Sequence, residues 1–390
     1  MAHYQPDTAN ELADVISDMA ARGARCELRG GASKATMGAD RDAEVIDMRG
    51  FTGVVDYDPA ELVLTVRAGT PLADVQRLVE GEGQMLAFEP FDHGPLLGGE
   101  AGKATIGGVV AAGVAGSQRL TMGGARDHLL GFTAVSGRGE RFVAGAKVVK
   151  NVTGYDLSKL MAGSWGRLAA MTELTIKVLP RPRAVSSLAI DGLDHAQACR
   201  VMAWAMGCHA EVAAAAHLPA DGDRPATTLF RLQGFAPSVE ARCAVLPEIL
   251  HDHGAAYLLP DHESEGLWAS VGIAAPLADA PVLWRINLRS SQAPSFIDRF
   301  AALGARWLID WAGGLIWLAH DGEADEVRAA AERAGGHAML VRAPAEVRST
   351  VPTQHPRTSG VVAIEQRVRR SFDPAGIFET GRFLDEQHAN

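Results

Sequence analysis

Hydrophobic residues near the start of the chain recur at helical spacing. Ile16 and Met19 share one helical face, and Thr8 or Asn10 stands where a capping side chain is needed before the helix. Gly23 follows the pattern and is typical of the residue that ends a helix. The spacing therefore predicts one amphipathic helix over this segment.

The pattern then changes to short runs rich in β-branched residues, of which residues 62–68 give the clearest predicted strand. Pro180-Arg-Pro182 interrupts the chain and is the best domain boundary. Beyond it, helical and strand patterns alternate in a mixed α+β order, which favours a second domain with an antiparallel sheet. Its predicted helices are 195–206, 238–250, 295–303 and 323–334, and its predicted strands are 227–234, 281–288 and 314–319.

Composition and charge narrow the function. A formal net charge of −10 disfavours nucleic acid and anionic lipid as partners. The four cysteines form no CxxC pair, so we expect neither an iron–sulfur cluster nor a structural zinc site, and no metal. The chain offers no signal peptide and no apolar run long enough for a transmembrane helix, so we expect a cytoplasmic protein.

Three glycine-rich turns carry the candidate chemistry. The first, Arg29-Gly-Gly-Ala-Ser-Lys34, comes directly after a predicted strand. Consecutive small residues let backbone N–H groups converge on one anion, such as a pyrophosphate. Taken alone, such a turn is more often a tight turn without a ligand.

The second turn, residues 105–117, combines glycine with other small residues and few charges. It could lie against a large flat cofactor, or it could form a helix packed closely on a sheet. The third, residues 150–166, mixes polar groups with glycine just before a strand. A purely structural loop rarely needs so many unusual residues in so short a span.

Other cofactor motifs are excluded. No GxGxxG is present, so the usual dinucleotide fingerprint is missing. Residues 97–105 fail as a P-loop, because Leu97 replaces the first glycine and Ala104 replaces the magnesium-binding hydroxyl. No GxSxG elbow supports a nucleophilic hydrolase.

Together, in this order and spacing, the three turns resemble those of the PCMH-type FAD-binding oxidoreductases. The resemblance implies an α+β protein with an FAD-binding domain of two α/β subdomains at 1–182. A smaller α+β cap domain with an antiparallel sheet is expected at 183–360, and residues 361–390 are expected to return to the FAD domain. FAD is expected to be held non-covalently.

The resemblance also assigns candidate FAD contacts within each turn. They are Arg29, Gly30, Gly31, Ala32, Ser33, Lys34, Thr105, Ile106, Gly107, Gly108, Ala112, Gly116, Thr153, Gly154, Tyr155, Asp156, Leu157, Gly163 and Gly166.

Two details are similar to the FAD-binding subunits of glycolate oxidase complexes, namely residues 148–157 and Leu283-Trp-Arg285. This resemblance implies oxidation of glycolate to glyoxylate beside a catalytic flavin subunit and an iron–sulfur subunit that takes the electrons. Attachment to the inner membrane would then come through the partners. The histidine-rich cap motifs of related 2-hydroxy-acid dehydrogenases are missing, which leaves direct hydride abstraction by this chain open.

Arg285 is a weak candidate for the cation that a 2-hydroxy acid carboxylate requires, because it lies on a predicted strand. No catalytic base stands out. Two alternatives stay open: an autonomous FAD-dependent dehydrogenase of another 2-hydroxy acid or alcohol, and a flavin-free scaffold subunit. Detection of bound flavin would exclude the flavin-free scaffold subunit.

Overall fold

The chain forms two compact units in the computed structural model, which describes residues 2–146 and 155–384. The first unit holds the described residues of Met1–Gly116, Gly123–Arg181 and Pro356–Asn390. The second unit holds Ser117–Met122 and Pro182–His355. Residues 117–122, which the sequence analysis placed in the first domain, therefore belong to the second unit.

The first unit contains a parallel sheet and an antiparallel one. The parallel sheet has three strands, in the order His3–Tyr4, Glu44–Asp47 and Cys26–Arg29. In the described residues, the second sheet has five antiparallel strands, in the order Val54–Asp58, Val63–Arg67, Ala169–Lys177, Leu129–Ser136 and Arg141–Gly145. A short two-stranded sheet pairs Gln84–Met85 with Leu179–Pro180.

The five-stranded antiparallel sheet differs from the α/β subdomain that the sequence led us to expect there. Leu129–Ser136 and Arg141–Gly145 are joined by a turn of four residues, which suits antiparallel neighbours. Parallel strands would need a crossover of a dozen or more residues. The second subdomain is thus α+β in character, within the expected α+β fold.

Helices of the first unit cover both sheets. Their bounds are Ala9–Arg22, Leu72–Gly81, Ile106–Ala111, Ala125–His128, Leu157–Met161 and Ser359–Phe372, with 3-10 turns at Met48–Gly50 and Pro95–Leu97. The first helix begins and ends as its sequence predicts. The Thr8 side chain accepts a hydrogen bond from the Glu11 N–H, and Gly23 adopts a φ of 65°.

Two hydrophobic clusters hold the first unit together. One joins Leu12 and Ile16 of the first helix to Val135 of the antiparallel sheet and to Ile377 near the end of the chain. The other surrounds the antiparallel sheet and the helix Ile106–Ala111. The C-terminal residues are therefore part of the core of the first unit.

The second unit is built on one antiparallel sheet of eight strands. The order is Tyr257–Leu258, Ala184–Asp191, Thr227–Gly234, Ala214–Leu218, Arg306–Asp310, Leu315–Ala319, Leu283–Asn287 and His337–Arg342. Its helices are Arg119–Met122, His195–Gly207, Ala236–Leu250, Asp261–Gly272, Ala293–Ala301, Ala324–Arg333 and Ala345–Arg348, with 3-10 turns at His251–His253, Ala275–Leu277, Ser290–Gln292 and Trp311–Gly313.

Alternation along the strands directs one set of side chains into a single large core. Trp284 and Ile286 lie in that core with Phe300 of a covering helix. Arg285, between them, projects from the opposite face of the sheet. The predicted antiparallel sheet is confirmed, and the predicted strand at 227–234 has the bounds given by the sequence.

Residues 117–122 are fixed in the second unit by buried polar contacts. The Ser117 hydroxyl donates to the Asp310 carboxylate at 2.8 Å, and both residues are almost fully buried. The Thr121 hydroxyl donates to the Ala213 carbonyl at 2.8 Å. Because a buried carboxylate needs such donors, this short segment is an integral part of the second unit.

Candidate functional site

The first unit contains a concave pocket, the kind of surface feature in which small molecules bind. All three predicted turns contribute to its lining. The predicted residues that line it are Arg29, Gly30, Gly31, Ala32, Ser33, Lys34, Thr105, Gly107, Gly108, Ala112 and Gly166.

Two glycines of the first turn pack closely against Lys103 and Thr105, at the start of the second turn. A Cβ atom on Gly31 would lie 1.4 Å from the Lys103 carbonyl oxygen, and one on Gly30 would lie 2.3 Å from the Thr105 hydroxyl oxygen. No other residue fits at that distance without moving backbone. The glycine pair therefore sets the floor of the pocket.

Backbone hydrogen bonds tie the third turn to the second. The Trp165 N–H donates to the Ala111 carbonyl at 2.8 Å, and the Gly163 N–H donates to the Val110 carbonyl at 3.1 Å. Gly163 and Gly166 have φ values of 85° and 74°, and Trp165 has a φ of 58°. Left-handed backbone at a bulky tryptophan is uncommon and persists only where surrounding contacts enforce it.

The first amides of the helix Ile106–Ala111 are already occupied by protein acceptors. The Ile106 and Gly107 N–H groups donate to the Thr70 and Ala68 carbonyls at 3.0 and 2.8 Å. The Gly108 N–H donates to the Thr105 hydroxyl at 3.3 Å. An anion in the pocket must therefore find its main partners elsewhere, on the first turn and on cationic side chains.

Three arginines surround one buried carboxylate at the edge of the pocket. Glu27 accepts hydrogen bonds from Arg29 at 2.7 Å and from Arg41, and the Arg382 guanidinium lies 3.6 Å away. Burial alone would raise the pKa of Glu27, but the arginines outweigh it and hold that pKa below its usual range. Three cations against one anion leave an excess of positive charge.

Lys34 adds a fourth cation, with its side chain buried in the pocket wall. Burial lowers its pKa to about 8, while the charge of Asp92 acts in the opposite direction. The depressed pKa means that the ammonium is incompletely compensated in this setting. A negative ligand would supply the missing compensation.

The residues fit a diphosphate-bearing cofactor. The Arg29 Nε atom is buried and has no hydrogen-bond partner among the described residues. A buried donor without an acceptor costs free energy, so an acceptor from a ligand is expected there. Arg29, Lys34 and Arg382 line the pocket together. They would hold the diphosphate of FAD, while the small residues of the second turn leave room for a flat group.

Some predicted contacts lie away from the pocket lining. The Ile106 side chain is fully buried in the hydrophobic core. A Cβ atom on Gly116 would lie 2.5 Å from the Glu89 Cβ atom, so close packing already accounts for that glycine. Gly163 has its place in the turn described above. The FAD contacts assigned to these three residues stay predictions.

The polar part of the third turn is only partly described. Asp156 caps the helix Leu157–Met161 by accepting from the Lys159 N–H at 3.2 Å, and Leu157 packs on the core. Tyr155 is 92% exposed. Thr153 and Gly154 lie outside the described residues. Of the predicted contacts in this turn that the structure describes, Tyr155, Asp156 and Leu157 do not line the pocket.

Sequence reasoning missed several residues that line the pocket. Glu27 and Arg382 are 355 positions apart in number, so no local pattern could pair them. Trp165 lies within the third turn but is not among the predicted contacts. The remaining ones are small or apolar residues of ordinary appearance: Leu28, Ala35, Met48, Ala68, Ala111, Ala169, Ala170 and Met171.

Arg285 lies in the second unit, on the strand that the sequence predicted. It is half-buried, donates to the Asn287 side chain at 2.8 Å and stacks on the Trp311 ring at 4.9 Å. Burial lowers the pKa of Arg285 to about 10, with the charge of Asp310 opposing the shift. It remains a cation at neutral pH, without an ion pair among the described residues.

The loop beside Arg285 is strained. Trp311, Ala312 and Gly313 have φ values of 52°, 50° and 99° in succession. Two such values at residues other than glycine cost of order 1–3 kcal/mol each, and strain of this kind clusters at functional sites. The loop fixes the Trp311 ring over the guanidinium.

Within residues 2–146 and 155–384, no group of three or more His, Cys, Asp or Glu side chains is placed to hold a metal ion. None of the helices in this part of the chain has the length and apolar character required to span a membrane.

The fold and the cationic, glycine-lined pocket define an FAD-binding oxidoreductase of the PCMH type. The family model for the FAD binding domain matches residues 2–145. Glycolate oxidase subunit GlcE of Escherichia coli strain K12 is 36% identical over 366 residues, which is 92% of each chain. The chain belongs to the family of glycolate oxidase subunit GlcE.

Two further proteins are similar to this chain, one over a shorter stretch and one in fold alone. Glycolate oxidase subunit GlcD of Bacillus subtilis strain 168 is 33% identical over 135 residues, which cover 35% of this chain and 27% of GlcD. A solved structure of alkyldihydroxyacetonephosphate synthase aligns with a TM-score of 0.66 over 96% of this chain and 76% of that one. At 15% identity, the second likeness shows the fold alone.

Proposed function

We propose that the chain is the FAD-binding subunit of a complex that oxidises glycolate to glyoxylate and passes electrons to an iron–sulfur subunit. The similarity to GlcE over 92% of both chains carries the proposal, because it includes the second unit as well as the FAD-binding part. A catalytic flavin subunit of the GlcD kind would be the second partner. A cytoplasmic location stays a prediction.

Oxidation of glycolate removes two electrons and two protons from its CH–OH group. FAD, when bound, supplies the acceptor for a hydride from that carbon. The part of this chain is to hold the cofactor. Arg29, Lys34 and Arg382 balance the charge of its diphosphate, and the close-packed glycines keep the pocket in shape.

We infer that Arg285 binds the carboxylate of the substrate. Its guanidinium is oriented by Asn287 and Trp311 and lacks an anionic partner among the described residues. A planar guanidinium matches a carboxylate with two parallel hydrogen bonds. Asp310 is occupied by Ser117 and by the Trp311 N–H, so it leaves the guanidinium available.

The proposal is tested on the complex assembled with its partner subunits, by glycolate-dependent reduction of an artificial electron acceptor. Arg285→Ala is expected to raise the KM for glycolate about 10- to 100-fold, the effect of losing a charged hydrogen-bonded pair. Arg306→Ala is the matched control, because Arg306 is an exposed arginine of the same unit paired with Asp279. Its KM should stay at the wild-type value.

A second measurement separates the alternatives. The isolated chain is examined by absorption spectroscopy before and after anaerobic glycolate. Flavin bands that persist support a subunit that depends on its partners, whereas bands that bleach would make it an autonomous dehydrogenase. If the assembled complex does not oxidise glycolate, glycolate is not its substrate and the proposed function is wrong. A wild-type KM for Arg285→Ala would refute only the role of Arg285.

A further inference from the structure

The C-terminal segment, residues 373–384, is fixed to the strand that leads into the first glycine turn. The Cys26 N–H donates to the Ile377 carbonyl at 2.7 Å. The buried Asp373 carboxylate accepts from the Ile377 and Phe378 N–H groups at 3.1 and 2.9 Å. Ile377, Phe378 and Phe383 are almost fully buried. The segment is therefore a docked part of the first unit.

Arg382 binds the loop that continues the first turn. Its Nε atom donates to the Met37 carbonyl at 3.0 Å, and a second nitrogen donates to the Lys34 carbonyl. In return, the Ala39 N–H donates to the Arg382 carbonyl at 2.8 Å. These contacts fix residues 34–39 from both ends, and they use the guanidinium as a fork that reaches two carbonyls.

The same guanidinium also forms part of the pocket wall. Its side chain is only 13% exposed and lies over the Trp165 ring at 5.4 Å. Burial lowers the pKa of Arg382 to about 9, and the charges of Arg41 and Arg29 lower it further, against the charge of Glu27. Burial and the neighbouring cations therefore disfavour the charged guanidinium in its docked position, while its hydrogen bonds favour that position. A diphosphate would remove the opposition.

We propose that Arg382 is a positioning residue through which docking of the C-terminal segment and binding of FAD by the 30–39 loop stabilise each other. The inference concerns FAD alone and is independent of the substrate. Coupling between two sites is reciprocal: if FAD tightens the segment, then loosening the segment weakens FAD. Both directions can be measured on the full chain.

The first test follows the segment in the wild-type chain with and without FAD. The Cys26 and Ala39 amides report docking in hydrogen exchange, because their acceptors are carbonyls of the C-terminal segment. Chymotrypsin cleavage at Phe378 and Phe383 reports it independently. FAD is expected to slow both by about 5- to 150-fold, the range of typical coupling. Equal rates with and without FAD would overturn the proposal.

The second test follows FAD affinity in variants of the apoprotein. Arg382→Ala and Arg382→Lys are both expected to raise the Kd for FAD about 10-fold or more, because lysine keeps the charge but not the fork. Both should also speed exchange of the Ala39 amide without FAD. Wild-type affinity in Arg382→Lys would overturn the positioning role and leave a simple charge contact.

Arg370→Ala is the matched control, since Arg370 is exposed on the helix Ser359–Phe372. It should bind FAD as the wild type does. An equal loss of affinity in this control would also overturn the proposal, because the effect would then come from C-terminal charge in general. Should Arg382→Ala fail to fold, the lysine variant and the wild-type exchange experiment still decide the matter.

Discussion

Buried ionisable groups in the two units differ in whether the protein itself supplies their partners. In the second unit, the buried His217 is kept neutral: burial lowers its pKa to about 4, and its Nδ1 lies 2.9 Å from the Thr228 hydroxyl. Asp310 is satisfied by two donors of its own unit. In the first unit, by contrast, Arg29, Lys34 and Arg382 share too little negative charge. His217 and Asp310 thus find their partners within the second unit, whereas the cations that line the pocket of the first unit lack a matching anion.

The largest effect is expected where the pocket depends on close backbone contact. Gly31→Ala would place a Cβ atom 1.4 Å from the Lys103 carbonyl oxygen, so the two turns must separate. We expect a loss of at least about 4 kcal/mol in unfolding free energy and of bound FAD. The measurements are the Tm and the flavin content of the purified chain.

Gly81→Ala is the control for that change. A Cβ atom at Gly81 would meet nothing within 4 Å, and the residue lies at the end of a helix. Its stability should change by less than about 1 kcal/mol. A Gly31→Ala chain with the wild-type Tm and full flavin would contradict the role given to the glycine pair.

The next largest effect is expected from a change in the core of the second unit. Leu318→Ala removes a fully buried side chain from the core of the second unit. We expect a loss of about 3 kcal/mol from that unit, with FAD affinity unchanged. Leu303→Ala is the control, since Leu303 is 54% exposed and should change stability by less than about 0.5 kcal/mol.

Circular dichroism and flavin fluorescence, followed together during unfolding, check this prediction. The dichroism transition should move in Leu318→Ala while the release of flavin stays at its wild-type midpoint. Flavin release that moves by the same amount would show that the two units unfold as one cooperative body.

The smallest effect is the pH dependence of FAD binding. Lys34 has a folded pKa of about 8, below its value in an unfolded chain, so its ammonium is lost from the apoprotein as pH rises through 8. FAD affinity should then fall by at most about tenfold per pH unit, or about 1.4 kcal/mol. Lys34→Met should bind more weakly at pH 7 and lose this dependence.

Stability of the apoprotein should change in the opposite direction. Between about pH 8 and the unfolded pKa of Lys34, the unfolded chain binds more protons than the folded one. The contribution of this group to unfolding free energy therefore rises with pH across that window. Denaturant titrations of wild type and Lys34→Met at pH 7.5 and 9.5 measure it, and identical pH dependence in both would rule out Lys34 as the source.

Sequence alone located the elements whose signals are local. Thr8 and Gly23 bound the first helix because capping chemistry acts within one turn. The pocket turns were found because glycine density marks close backbone approach. What local patterns could not supply is contact across the chain: Arg382 donates to a carbonyl 348 positions away, and residues 117–122 carry no sign of the unit they join.

The course of the chain through the two units has a consequence for its synthesis on the ribosome. One core of the first unit joins Leu12 and Ile16 to Ile377 and Phe378, so it cannot assemble until the chain has been made as far as Phe378. The residues of the second unit end at His355, so this unit can fold before Ile377 and Phe378 have been made. The pocket of the first unit, whose lining includes Arg382, is thus completed after the last residue of the second unit has been made.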